Sequence, residues 1–311
     1  MTRLAELQRF MQRVVALPDV DELAFPESLD PRDAATLANA DPRHVTVYRR
    51  LIRGTLKGSL KLQFPLTAAR LSEHHPRDVE LFCEQELPRS QVLRDVAFEF
   101  VAWATPRWRD DEQIADFLVD LARYELLEFD VYCARRRVPQ QAAEPCADEL
   151  DAGLGVYFDS SARLGHFDYA VHELPDDEQD RSEPRREVVA LLGYRDGENA
   201  FQRMELSALA AAIIERLWLD GEPLGSAVKA ACDDLEQSLD QSVIDGIATV
   251  LADLAERGVV LGARPPGPTA ERSPWTRWLV RGAAGMRPFV ASTAAEPSLS
   301  RSGPNSRSGP K

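Results

Sequence analysis

EVVALLGYRDGENAFQRMEL, residues 187–206, is the stretch on which the fold turns. Two apolar runs, the first rich in Val and Leu and the second alternating through Phe201 and Met204, flank Asp196-Gly197, a dipeptide that favours tight reversal, so the spacing predicts a β-hairpin. Three helical patterns follow, over Ser207–Leu219, Pro223–Glu236 and Gln241–Glu256, and GVVLG (residues 258–262) offers a last short strand. Hairpin, three helices and closing strand is the element order of a small winged-helix domain, although order alone leaves other small α+β folds open. Just upstream, GLGVYFD (residues 153–159) and HFDYAVHEL (residues 166–174) read as strands, the second with Phe167, Tyr169 and Val171 on one face. A charged loop, residues 175–187, separates them from the hairpin.

Towards the N-terminus the period changes from two to 3.6. Leu4, Leu7, Phe10, Met11, Val14 and Val15 form one stripe of an amphipathic helix. A short helix or turn follows Asp30, and Pro42, at a first helical position, opens HVTVYRRLIRGTLKGSLKLQF (residues 44–64). Tyr48, Leu51, Ile52, Leu56 and Leu60 are its expected buried face, and Arg43, Arg49, Arg50, Arg53, Lys57 and Lys61 make it strongly basic. Its Gly54 and Gly58 each cost about 1 kcal/mol relative to alanine, which suggests that another element crosses closely there. Shorter helices are expected over residues 66–71, 77–86 and 92–105. QIADFLVDLARYELLEFDVYCA (residues 113–134) carries an apolar face broad enough for the centre of a bundle.

The reading is therefore an α+β chain: an all-helical N-terminal domain over residues 1–137, a Pro-rich polar linker over 138–150, and a strand-rich segment with a winged-helix-like domain over 151–263. Residues 264–311 are rich in Pro, Gly, Ser and Arg and are expected to stay unordered, with Trp275, Trp278, Leu279 and Phe289 as apolar exceptions that could dock.

The 311 residues carry a net charge of −14, unevenly placed. From Arg264 onward there are eight basic and two acidic residues, which leaves the preceding part at −20. Such a body repels phosphate backbones, so DNA binding starts with a handicap. The four cysteines lack a C-x-x-C pair. No apolar run approaches the roughly 18–20 residues that span a bilayer, and the first residues lack a signal-peptide core, so a cytoplasmic protein without a membrane partner is expected.

Nucleotide-binding, nucleophile-elbow and zinc-protease signatures are absent, so no catalytic residue, metal or cofactor is assigned. His166, Asp168 and His172 are the best metal candidates, yet the two histidines would stand roughly 20 Å apart on an extended strand. His74 and His75 read as a solvated loop. Glu125 and Glu128 share a helix face and read as salt-bridge partners of the basic helix.

Three blocks in order, VYRRLIRGTLKGSLKLQFPLTAARL, ELPRSQVLRDVAFEFVAW and FLVDLARYELLEFDVYCA, resemble the N-terminal domain, once labelled DNA-binding, of HvfC/BufC-type partner proteins of multinuclear non-haem iron oxidases. The resemblance covers about residues 4–135. The segment from GLGVYFD to GVVLG is similar to the longer form of that family, in which a strand-rich segment leads into a module like the peptide-recognition elements of ribosomal peptide biosynthesis. The long tail departs from the family pattern.

This resemblance implies a non-catalytic adaptor that binds the leader of a precursor peptide and brings it to the oxidase. Modules of that shape capture a leader as an added strand. Mapped here, Ala200–Leu206 receives it, with Phe201, Arg203 and Glu205 alternating on one face and Ile244, Ile247, Val250 and Leu251 forming the groove wall. For Ile247 and Val250 a plain core role reads equally well. The alternatives are a DNA-binding transcription regulator and an enzyme whose scattered histidines and carboxylates converge in space. The helix expected to read bases has only Arg257 against Asp245, Asp253 and Glu256, which disfavours the regulator.

Overall fold

The computed structural model describes residues 3–16, 27–39, 41–85, 88, 90, 92–134, 147, 149–267, 275, 279 and 280. Helices come first: α1 (Arg3–Ala16), α2 (Pro31–Ala38), α3 (Pro42–Gln63), α4 (Pro65–Leu71), α5 (His74–Gln85), α6 (Leu93–Asp110) and α7 (Phe117–Cys133). Then come β1 (Gly155–Phe158), β2 (Arg163–Phe167), a 3-10 turn (Val171–Glu173), β3 (Val189–Arg195) and β4 (Phe201–Leu206). The chain closes with α8 (Ala208–Glu215), a π-helical turn (Arg216–Asp220), α9 (Leu224–Asp234), α10 (Gln241–Glu256) and β5 (Val260–Arg264). A helical N-terminal region thus precedes a small part of mixed helices and strands, an α+β architecture.

Local chemistry explains the boundaries. α2 and α3 start alike: Asp30 and Asp41 accept the amides of Arg32 and Arg43, each at 2.8 Å, and a proline follows each cap where no amide is needed. Pro65 ends α3 and opens α4. Ser207 and Asp240 cap α8 and α10. The π-helical turn stops at Gly221, whose φ of 68° suits glycine and whose amide returns to the Arg216 carbonyl.

β2, β3 and β4 form one antiparallel sheet in the order β2-β3-β4, and β1 pairs with β5 in a separate two-stranded sheet. The larger sheet is covered on both faces. Phe167, Val189 and Leu191 join the core of the helical bundle, whereas Leu164, Ala190, Leu192, Tyr194 and Leu206 join a second core with Ile213, Ile214, Leu217 and Trp218. This explains why β3 is a continuous apolar run rather than an alternating one. The closing strand pairs with β1 and not with the hairpin, through Gly155↔Arg264, Val156↔Ala263 and Tyr157↔Gly262.

α7 lies between the bundle and the sheet and is buried along almost its whole length. Its closeness to the sheet depends on two glycines: a Cβ at Gly165 would stand 2.7 Å from one Leu127 methyl, and a Cβ at Gly193 would stand 2.6 Å from the other. Each charged group buried on α7 holds a different segment. Glu125 accepts the amides of Leu66 and Thr67 at 2.8 and 3.0 Å and the Thr67 hydroxyl at 2.6 Å, so it caps α4 from outside. Asp120 accepts the amides of Asp168 and Tyr169 and an Arg123 nitrogen. Arg123 also donates to the Leu279 carbonyl at 2.8 Å, and Asp130 pairs with Arg163 of β2.

Several expectations are corrected. Glu125 does not pair with the basic helix; Glu80 and Glu84 of α5 do, through Arg53 and Lys57. His75 is no solvated loop residue but sits buried in the first turn of α5, edge-on to Phe100 at 5.9 Å. Tyr48 and Leu51 are exposed rather than buried on α3, and no atom of the described residues lies within 4 Å of a Cβ built on Gly54 or Gly58, so none of the described elements crosses there. The second strand spans Arg163–Phe167, with Tyr169 and Val171 beyond it. The hairpin loop has five residues, Asp196 binding the amides of Glu198 and Ala200 and Asn199 taking φ of 68°. Part of the segment expected to stay unordered is packed: Trp275 stacks on Phe98 at 5.7 Å, and Leu279 and Val280 are buried. The expected linker lies mostly outside the described residues, as do Trp278 and Phe289.

Gly165→Ala and Gly193→Ala should each destabilise the fold by about 1–3 kcal/mol, the cost of overpacking a filled core, as measured by urea denaturation. Two buried groups should make stability depend on pH in opposite senses. Burial pushes the Glu125 carboxyl up to about 7 despite its three donors, so its contribution is complete below its ordinary value of 4.5 and is lost as pH rises through 7. Burial, helped by Lys61, lowers His75 from 6.5 to about 4, so its contribution is complete above 6.5 and is lost as pH falls towards 4. In Glu125→Gln the His75 slope should stand unmasked, with unfolding free energy rising from pH 4 to 6.5; an unchanged profile would count against the assignment.

Candidate functional site

β4 is an edge of its sheet, and no described strand pairs with its outer side. The hydrogen-bond phase of the hairpin determines what that edge offers. The Asp196 amide donates to the Ala200 carbonyl at 3.0 Å, which makes this pair a bonded one, and the register then continues unshifted through Tyr194↔Gln202, Leu192↔Met204 and Ala190↔Leu206. Bonded and non-bonded pairs alternate in an antiparallel ladder. The intervening residues Phe201, Arg203 and Glu205 therefore turn their main-chain amides and carbonyls away from β3, toward the open edge.

Their side chains lie on the face turned to α7. Phe201 packs against the bundle core and against Tyr132, ring centres 6.2 Å apart. Arg203 donates to the His172 carbonyl at 3.2 Å, and the His172 Nε2 stands 3.5 Å from a Glu205 carboxylate oxygen. Glu128 of α7 belongs to the same neighbourhood: burial and the nearby Asp176 raise its carboxyl, while Arg203 opposes them. An extended peptide along β4 would thus meet main-chain donors and acceptors in the middle and alternating charge at the rim.

Ile244, Ile247 and Leu251 belong elsewhere. They lie on α10, on the other side of the sheet, and line an apolar groove of about 710 Å³ whose opposite wall includes Leu224, Val228 and Leu261. The groove is held open by a backbone clamp: the first free amides of α9, on Leu224 and Gly225, donate to the carbonyls of Leu154 and Ala152, each at 2.8 Å. The six residues read from sequence therefore fall into two sets on opposite faces, brought together within each set but not between them. The groove residues Leu150, Leu239 and Leu261 were not singled out by sequence, because they come from three loops and strand ends whose convergence has no periodic signature.

The histidines do not converge on a metal. His166 stands 3.4 Å from Glu215, His172 faces Glu205, and among the described residues no group of three or more His, Cys, Asp or Glu could hold an ion. Among those residues, too, no helix is long and apolar enough to cross a membrane.

The sheet, its open edge and helices α8 to α10 coincide with a known family module. Residues 160–255 match the HvfC C-terminal domain. The match supports membership of the HvfC-type family, and it includes β4, the Arg203–His172–Glu205 group and most of α10. No curated protein matches the chain. The β4 edge and the groove residues contributed by α9 and α10 thus lie within the segment that matches the HvfC C-terminal domain, while β1, β5 and the carbonyls of residues 152 and 154 lie outside it.

The groove should take up an apolar probe in the native state. Anilinonaphthalene sulfonate fluorescence is expected to rise with the folded protein and to fall back in Ala248→Glu, which places a carboxylate on the groove wall without entering the core; equal fluorescence in both proteins would show that the dye reports another surface.

Proposed function

We propose that this chain is a non-catalytic accessory protein that binds the leader of a ribosomally made precursor peptide and delivers it, in the cytoplasm, to a multinuclear non-haem iron oxidase. The observation that carries the proposal is the open edge of β4 within the segment matched to the HvfC C-terminal domain. An edge with unpaired main-chain groups at Phe201, Arg203 and Glu205 suits strand addition, where backbone bonds supply affinity and flanking side chains supply selectivity. Arg203, Glu205 and Glu128 favour a peptide with opposite charges at alternate positions. The groove beside Ile244, Ile247 and Leu251 is a second receptor for apolar side chains of the same peptide, on its far stretch.

A DNA-binding role gains no support from the charge on α10, the helix expected to read bases. The outer side of α10 presents Asp245, Asp253 and Glu256, and its Arg257 is tied to Asp253 at 2.8 Å. Such a surface repels a phosphate backbone.

The test uses Arg203→Pro. Proline deletes the outward amide and leaves the β3–β4 ladder intact, because Arg203 sits at a non-bonded pair. Peptide affinity measured by calorimetry should fall by about tenfold or more while circular dichroism stays native. Undiminished affinity in Arg203→Pro, with loss in Ala248→Glu, would move the binding site to the groove. Unimpaired modification of the peptide by the oxidase in the absence of this chain would sink the proposal as a whole.

A further inference from the structure

α3 has two faces, and the described residues cover only one. Ile52, Leu56 and Leu60 point into the bundle. On the opposite side Val47, Leu51 and Leu62 are 53%, 64% and 82% exposed, and Tyr48 is exposed beside them. Val47, Leu51, Gly54 and Gly58 follow one another at spacings of four, three and four, the seam of a heptad pattern. Arg43, Arg50 and Lys57 recur every seven residues along one flank of that seam, and Lys61 extends the line; all four are exposed.

The glycines distinguish this seam from a merely greasy patch. Both lie inside a helix where any residue except proline would hold the helix better, and among the described residues nothing lies within 4 Å of a Cβ built on either. Their value is to let another backbone come close, and among the described residues none does so. The flank determines what the visitor carries. Two copies of α3 packed antiparallel would set Arg43, Arg50 and Lys57 against their own counterparts, and packed parallel would leave them opposite Tyr48, Thr55 and Leu62. Residues 281–311, with five basic and one acidic residue, would meet the same repulsion. A lipid surface has no use for a glycine-lined seam.

We infer that the exposed face of α3 docks an amphipathic helix of a partner protein, with apolar residues against Val47, Leu51 and Leu62, its backbone close over Gly54 and Gly58, and Asp or Glu facing Arg43 and Arg50. The inference deepens the proposed function, and rests on it, in naming the iron oxidase as the owner of that helix. The chain then has two separate surfaces: β4 for the cargo and α3 for the enzyme.

Affinity of the full-length chain for the iron oxidase of the same organism is measured for the wild type, Gly58→Leu, Arg50→Glu and Arg203→Pro. Wild type and Arg203→Pro should bind alike. Gly58→Leu should bind about tenfold or more weakly even though its melting temperature is unchanged or higher, because leucine is the better helix residue at an open position. Arg50→Glu should weaken the complex and flatten its salt dependence. Gly58→Leu binding like the wild type would overturn the inference while leaving the carrier reading intact. Absence of any complex with the wild type would overturn both. Sedimentation of the chain alone as a dimer that Gly58→Leu dissociates would identify a second copy as the occupant, and binding to phosphatidylserine vesicles abolished by Arg50→Glu would identify lipid; either overturns the inference.

Discussion

A helix must find a partner for each charged group it buries, and α7 buries four. Leaving one unmatched in the interior would cost several kcal/mol, a large part of the stability of a domain. Glu125, Asp120, Arg123 and Asp130 are matched by α4, by the turn after β2, by the carbonyl of Leu279 and by Arg163 of β2. The same four contacts that neutralise the helix thereby tie the bundle, the sheet and the end of the described chain to one axis. The apolar residues between them then pack on two sides at once, Leu127 against glycines of the sheet and the remainder against the bundle.

That axis positions the open edge. β3, covered on both faces, is the rigid centre of the sheet, and β4 hangs from it with one side bonded and the other open. Because Phe201 is anchored against Tyr132 and Arg203 is tied to the 3-10 turn, the strand is held extended before any ligand arrives. A strand held in this way would lose little conformational entropy on adding the flexible peptide of the proposed function, which must itself become ordered.

The helices α3 to α7 and α8 to α10, the hairpin and the strands at Gly155–Phe158 and Val260–Arg264 were legible because period, caps and turn residues agreed locally. Pairing of the last strand was not, since β5 reaches back about a hundred residues to β1 and periodicity says nothing about partners. The side chains of Phe201, Arg203 and Glu205 were correctly grouped by alternation, but which layer they face depended on α7 covering the sheet. The unbroken run VALLGY was the available signal of that cover. Assigning Tyr48 and Leu51 to the core followed from treating exposed apolar residues as buried ones, and the open space at Gly54 and Gly58 could be learned only from what fails to pack against them.

The bond from Arg123 to the Leu279 carbonyl joins residues 156 apart in sequence. Synthesis proceeds from the N-terminus, so α7 leaves the ribosome long before that carbonyl exists. Until Leu279 emerges, one of the partners of a guanidinium destined for the interior is missing, and the bundle cannot close over it in final form. Completion of the helical half thereby waits on a segment made long after α7, and the second core waits on the same segment, because Val280 is buried in it.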